Sequence, residues 1–250
     1  HIEQIYNSLL RSIFAKVNAN VTTPGPLSVY RANLLREIGG FSTKGFSEDV
    51  DVTIRLIRKG YVVGYASDAV TETYMPVDVK GFFRQRTRFA RGMINIFKRH
   101  LKMNAIMIDI YTLPLLVFTY VQAVIMGAIT IYNIVSGYVT YFTSKGVYFN
   151  LAVLKFFFEW LSLVGFVKWT GSVFSGASPL TLYAAVGIAS TLLTYPLYIY
   201  AILRFDKKID WWHVLPIVFM FPFWLLVMAV YIVMLPFGFP KQDNIWKKNE

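Results

Sequence analysis

Ser47 to Gly60 reads SEDVDVTIRLIRKG, and both ends of that stretch carry the marks of helix ends. Ser47 is a capping residue, and Glu48, Asp49 and Asp51 fill a first turn where the helix dipole favours negative charge. Arg55, Arg58 and Lys59 fall toward the far end, where cations suit the dipole, and Gly60 stands where a C′ residue is wanted. Val52, Ile54, Leu56 and Ile57 supply an apolar stripe for burial. Helix formation alone therefore accounts for every charge in the stretch. A second stretch, Gln85-Arg86-Thr87-Arg88-Phe89, brings a chemical reading into competition with that one.

Around these two stretches the chain is 250 residues long, 56% apolar and 17% aromatic, with a mean hydropathy of +0.48. That is too apolar for an ordinary soluble domain. The apolarity is uneven: residues 1–104 hold 16 Lys+Arg against 8 Asp+Glu, and residues 105–250 hold 9 against 6. The chain divides into a basic part of mixed composition (1–104), a membrane part (105–240) and a basic tail (241–250) with Lys241, Lys247 and Lys248. The absence of cysteine excludes disulfides and thiolate metal sites. His1, His100 and His213 are scattered along the chain, so no zinc site is expected and no metal ligand is assigned. The net charge of +11 sits beside apolar spans, where cytoplasmic Lys and Arg collect, and no nucleic-acid-binding motif accompanies it. His1 is not an initiator Met, and no signal peptide is visible. The expectation is a fragment, a processed product or one piece of a split protein.

In chain order, apolar residues at Ile2, Ile5, Tyr6, Leu9, Leu10, Ile13 and Phe14 give one face of a helix over 1–17. Thr23-Pro24-Gly25-Pro26 reads as a loop, 27–30 as a short strand, and 31–38 as a short helix stopped by Gly39-Gly40. After the acidic helix, 61–65 and 69–74 read as two strands joined by a turn at Ser67-Asp68. Residues 79–101 read as one long helix or two short ones, basic and amphipathic, expected to lie on the cytoplasmic surface of the bilayer. This is an α/β pattern that opens without the usual first strand and ligand loop.

Four candidate spans follow, at about 110–135, 147–169, 181–203 and 212–237, each long enough for roughly 30 Å of hydrocarbon. The second carries Lys155 and Glu159 at i,i+4, which suggests a mutual pair, and charge makes it a candidate for an interfacial or re-entrant helix. Three to four spans are therefore expected, with Pro114, Pro196, Pro216, Pro222 and Pro236 as kink points.

The chemistry lies between the acidic helix and the Gln/Arg stretch. Gln85 and Arg88, at i,i+3, share a helix face. Arg beside an amide suits a diphosphate, and an aromatic neighbour suits the C–H face of a sugar ring. A carboxylate at a helix N-terminus, Asp49, is held ionised by the dipole and can take a proton from an attacking hydroxyl. These are the parts needed to move a glycosyl group from a nucleoside diphosphate to an alcohol.

The run from Gly25 to Arg99 resembles the second half of the catalytic domain of processive, membrane-bound family-2 glycosyltransferases. These are the poly-N-acetylglucosamine, hyaluronan, chitin and cellulose synthases. The resemblance rests on Gly25, Tyr30-Arg31, Gly39-Gly40-Phe41, Ser47 to Leu56, Gly60-Tyr61 and Gln85 to Phe89. It implies a partial GT-A-type cytoplasmic domain, of the nucleotide-diphospho-sugar transferase kind, followed by membrane helices in a multi-pass protein of the cell membrane. It implies Asp49 as the base for inversion, supported by Glu48, and Gln85, Arg86 and Arg88 near the donor diphosphate and acceptor terminus. Phe89 stands where the family has Trp, and the loop at Gly25 lines the acceptor site. The donor would be a nucleotide sugar, a UDP-sugar first, and the acceptor a growing glycan. Mg²⁺ or Mn²⁺ would be held by carboxylates outside this chain, in the missing N-terminal half of the catalytic domain, which becomes a partner alongside membrane lipid. Two rivals stand beside this reading. One is a single-transfer enzyme acting on a lipid-linked acceptor. The other is a non-catalytic membrane subunit whose arginines bind lipid headgroups.

Overall fold

The computed structural model describes residues 1–42, 46–101 and 106–237, with side chains described as far as residue 233. The basic tail lies outside the described residues. In order, the helices are α1 (Ile2–Ala15), α2 (Ala32–Glu37), α3 (Glu48–Arg58), α4 (Val79–His100), a π-helical turn Ile108–Thr112 running into α5 (Leu113–Tyr141), α6 (Leu151–Leu161), α7 (Leu163–Phe174), α8 (Leu182–Phe205), α9 (Trp211–Val218) and α10 (Met220–Phe237).

The described residues form two compact units, one of residues 7–121 with 233–237, the other of residues 1–6 with 122–232. In the first, Val50, Ile54 and Ile57 of α3 are buried with Ile96 of α4, Ala19, Val21, Ile108 and Leu113. Each such aliphatic side chain contributes about 1.5–3 kcal/mol of burial. This cluster fixes α3 against α4 and the π-turn. Gly60, at φ 86°, closes α3 by sending its N–H to Ile57 O (2.9 Å) while Tyr61 N–H reaches Leu56 O (3.1 Å). That pair of reversed bonds is the glycine-terminated helix end expected from the sequence.

The strands expected at 27–30, 61–65 and 69–74 are absent among the described residues; these segments are extended or looped and carry no ladder. An extended segment becomes a strand only when a neighbour supplies the partners for its backbone groups. Around 61–63 a side chain does that work. Asn18 Nδ2 donates to Tyr61 O (3.0 Å) and its Oδ1 accepts from Val63 N–H (2.9 Å).

In the second unit, two helices are long and apolar enough to cross a membrane, Ile108–Lys145 (which begins in the first unit) and Leu182–Phe205. A third span exists if Trp211–Val218 and Met220–Val233, bent by 53°, are one broken span. The candidate at 147–169 is not one continuous helix. It breaks at Ser162, whose hydroxyl caps α7 through Gly165 N–H (3.2 Å), giving two short helices folded tightly on each other. Glu159 pairs with Lys168 of α7 (2.5 Å) rather than forming the local pair with Lys155 expected from spacing. The fold brings Lys168 within reach, so the carboxylate finds its cation across the hairpin.

Candidate active site

Asp49 is the second residue of α3 and half-buried. Its Oδ1 accepts from Val50 N–H at 2.8 Å. The Thr23–Leu27 loop lies over it: a Cβ added to Gly25 would sit 3.4 Å from Asp49 Oδ2. The loop is tied to the helix by Thr23 Oγ1, 2.8 Å from Thr53 Oγ1 and 3.4 Å from Asp49 O. Burial pushes the Asp49 carboxyl above its ordinary range, and the charge of Glu48 adds to this. The Val50 N–H and the Arg88 guanidinium pull the other way without cancelling it. The dipole is thus not the largest influence on this group. Desolvation outweighs it and moves the carboxyl toward the range useful for a base.

Arg88 is exposed and close enough to act electrostatically on Asp49. Its guanidinium lies 5.7 Å from the Phe89 ring centroid. Phe89 is 41% exposed, leaving ring surface to solvent. Arg86 points the other way: it is buried, over the Phe82 ring at 5.0 Å and 5.9 Å from Phe89. Gln85 Oε1 is shut from solvent with no hydrogen-bond partner among the described residues. Gln85, Arg88 and Gly92 fall on one face of α4. Gly92 is where the start of α3 touches that face, since a Cβ there would meet Ser47 Oγ. Arg88 then lies about one turn, roughly 6 Å, along α4 from that contact. The structure therefore sets Gly25 against Asp49, with Glu48 beside it and Arg88 within electrostatic reach, and buries Arg86.

Ser47 does not cap α3. It occupies the cap position in a left-handed conformation (φ 67°, ψ 46°) and makes no side-chain cap bond. Its hydroxyl is turned onto Gly92 instead. Arg11 was not singled out by sequence. It stands on α1, donates from Nε to Thr22 O (2.8 Å), and lies within electrostatic reach of Asp49. No short spacing ties position 11 to position 49, so only the fold reveals it.

Asp51 shares an Asp-x-Asp spacing with Asp49 but not its surroundings. Its Oδ1 faces His100 Nε2 at 2.8 Å and its Oδ2 accepts from Arg55 Nε at 2.9 Å. Both oxygens are taken, so the two aspartates do not fit a divalent ion. Burial alone would push the Asp51 carboxyl up, yet the hydrogen bond from His100 and the charge and hydrogen bond of Arg55 hold it below its ordinary value. Such a carboxylate stabilises the fold above its unfolded pKa, and that stability is lost as pH falls through the lowered folded value. The Tm gap between the wild type and Asp51→Asn is expected to be widest near neutrality and to close below about pH 4, the unfolded carboxyl range. Thermal melts across pH measure it.

His1, Asp206 and His213, far apart in sequence, do come together, their ligand atoms within 4.8 Å of one another. The three do not make a ready cation site. Asp210 N–H donates to His213 Nδ1 (3.0 Å), which puts the proton of a neutral ring on Nε2, facing Asp206 Oδ2 at 2.9 Å. The lone pair a metal would need is not offered.

A family profile described as Glycosyl transferase family group 2 matches residues 6–240. The probable glycosyltransferase YdaM of Bacillus subtilis is 32% identical over 122 residues, 45% of this chain and 29% of that protein. The cellulose synthase 1 catalytic subunit (UDP-forming) of Komagataeibacter xylinus is 37% identical over 79 residues, 30% of this chain and 10% of that one. The probable glucomannan 4-beta-mannosyltransferase 3 of Oryza sativa subsp. japonica is 29% identical over 75 residues, 30% of this chain and 14% of that one. The chain thus spans less than a third of the length of each of these relatives. No solved structure matches it.

Proposed function

The chain belongs to glycosyl transferase family group 2, and on that premise we propose that it is the C-terminal part of an inverting, processive glycan synthase of the cell membrane, its catalytic part cytoplasmic. It transfers a sugar from a nucleoside diphosphate donor, a UDP-sugar, to the end of a growing glycan and passes the product between its membrane helices. The observation that carries this reading is the placing of Asp49: a half-buried carboxylate at a helix start, with the Gly25 loop against it and the Arg88 guanidinium in electrostatic reach.

In the proposed step Asp49 takes the proton of the acceptor hydroxyl as its oxygen bonds to the anomeric carbon. The bond from that carbon to the diphosphate breaks, and the nucleoside diphosphate leaves with the electron pair. Arg88 and Gln85 bind the diphosphate as it gains charge. Phe89 stacks on the acceptor sugar. Glu48 keeps the Asp49 proton affinity high, and Arg86 positions Phe89 from beneath. Members of this family generally depend on a divalent metal. The carboxylates near Asp49 do not fit one, so we assign its ligands, of Mg²⁺ or Mn²⁺, to polypeptide beyond this chain, and no step is routed through the ion. The length of the relatives supports such a further segment.

A single transfer to a lipid-linked acceptor is the second reading, favoured by Phe89, which lacks the indole N–H of a Trp and so holds an acceptor sugar less firmly in register. Membranes bearing the complete protein, incubated with labelled UDP-sugar, are expected to yield a ladder or long polymer. A single discrete product overturns processivity, and no incorporation from any nucleotide sugar overturns the transferase reading.

A further inference from the structure

From its first turn to its last residue, α3 is held by a buried polar cluster that the transfer step above does not use. Arg58, the last residue of α3, donates from Nη2 to Asp109 Oδ1 at 2.6 Å and to His100 O at 2.5 Å. Its Nη1 lies 3.0 Å from His100 Nδ1. An arginine only donates, so His100 Nδ1 accepts, and the ring proton sits on Nε2, where it is given to Asp51 Oδ1 at 2.8 Å. The Asp51, His100 and Asp109 side chains are 7%, 8% and 0% exposed. Arg55 completes the cluster from above, holding Asp51 while donating to Ile38 O (2.5 Å) and Gly40 O (2.6 Å).

The four members come from three elements. Asp51 and Arg58 stand on α3, His100 ends α4, and Asp109 lies in the π-turn that opens the first membrane-crossing helix. A π-turn widens a helix by one residue and is energetically disfavoured, so its presence where Asp109 meets Arg58 calls for a compensating contact. Groups of this kind are worth little as a net source of stability, since desolvation offsets their attraction. What they do well is fix one arrangement. Asp49 lies at the start of this same α3, two residues before Asp51.

We propose that Asp51, Arg58, His100 and Asp109 form a clamp that seats the base-bearing helix on the first turn of the membrane span and so sets the position of Asp49. The four are positioning residues: they act through α3 and touch no substrate. The catalytic half of this proposal rests on the transferase reading above; the mechanical half does not.

The test uses the complete protein in lipid, with nitroxides at Lys59→Cys and Ile110→Cys, both exposed and flanking the Arg58–Asp109 contact. This chain has no cysteine of its own to compete for label. In the otherwise unaltered clamp, continuous-wave EPR is expected to show strong dipolar broadening between the labels. Asp109→Asn is expected to abolish that broadening and lower kcat about 10-fold or more, because small displacements of a reacting group are costly. KM for the donor is expected to stay unchanged, since Gln85 and Arg88 are untouched. Asp109→Glu, which keeps the charge, is expected to recover both readings in large part. Should Asp109→Asn fail to reach the membrane, Arg58→Lys, which keeps charge but loses the fork, is read in its place. Broadening that survives the substitution overturns the clamp. Lost broadening with unaltered kcat, or a loss expressed in KM, overturns the positioning role. If the labelled parent transfers no sugar yet loses broadening on substitution, the transferase reading falls and the mechanical clamp is supported.

Discussion

Asp49→Asn in the complete protein is expected to lower sugar transfer by about 10²- to 10⁴-fold, the range for loss of a general base, while donor binding persists. The same substitution is expected to leave Tm unchanged or raise it, so that lost transfer is not lost fold. Two effects compete over stability. Removing a first-turn negative charge costs about 0.3–1 kcal/mol through the helix dipole. Removing a charge that burial disfavours returns free energy. The Asp49 carboxyl lies above its ordinary range, with burial as the largest cause, so the second effect wins. The linkage sign agrees. A raised folded pKa means full stability below the unfolded value and a loss as pH rises through the folded one, so at neutrality the ionised carboxylate is a burden that Asn does not carry. If Asp49 were only a helix-start residue, as in a non-catalytic membrane subunit, the same burial would leave the Tm result as it is, but transfer would stay intact. Isothermal binding of UDP-sugar, transfer from labelled donor and a thermal melt decide between these outcomes.

The helix over 48–58 and its glycine stop were legible because their signals are local: acidic first turn, apolar spacing and a C′ glycine act within a few residues. The long apolar helix after residue 108 was legible from its local composition. The strands were not, because a strand is a relation between segments, and the β-rich runs at 61–65 and 69–74 find no ladder among the described residues. The side-chain partner that Asn18 supplies to Tyr61 and Val63 leaves no trace in periodicity. Arg55 and Arg58 were read as cations suited to a helix end, which is sound locally but incomplete. Their actual partners, Asp51, His100 and Asp109, are set by how three elements pack. The pairing of Asp49 with Arg88 came from chemical expectation, and the fold places the two within electrostatic reach. The role of Ser47 was misread, since a capping residue type does not reveal whether its backbone will take a capping conformation.

That misreading leads to the last expected result, on Gly92→Ala. Alanine is the better helix former by about 1 kcal/mol, so inside α4 the change would help if space allowed. Space does not allow it. The new Cβ would lie 2.1 Å from Ser47 Oγ, and turning the hydroxyl away leaves Ser47 Cβ at 3.2 Å and Phe46 Cβ at 3.3 Å, carbons fixed to the backbone. Overpacking of this kind costs about 1–3 kcal/mol, so the net expectation is a loss of up to about 2 kcal/mol. The start of α3, with Glu48 and Asp49, must move with Ser47, so transfer falls as well. Ser47→Gly is the matching change. It removes the two closest atoms, leaving only Phe46 Cβ at 3.3 Å, and a glycine at φ 67° escapes the roughly 1–2 kcal/mol that a side chain costs in the left-handed region. Alone it is expected to be neutral or mildly stabilising. Combined with Gly92→Ala it is expected to recover most of the lost stability and activity, with a coupling of at least about 1 kcal/mol. For two residues in contact such non-additivity is required, whereas effects that add within about 0.5 kcal/mol would show that α3 and α4 do not meet at this point. Thermal melts and transfer assays on the four proteins of the cycle measure it, each kcal/mol corresponding to about 2–4 °C in a chain of this size.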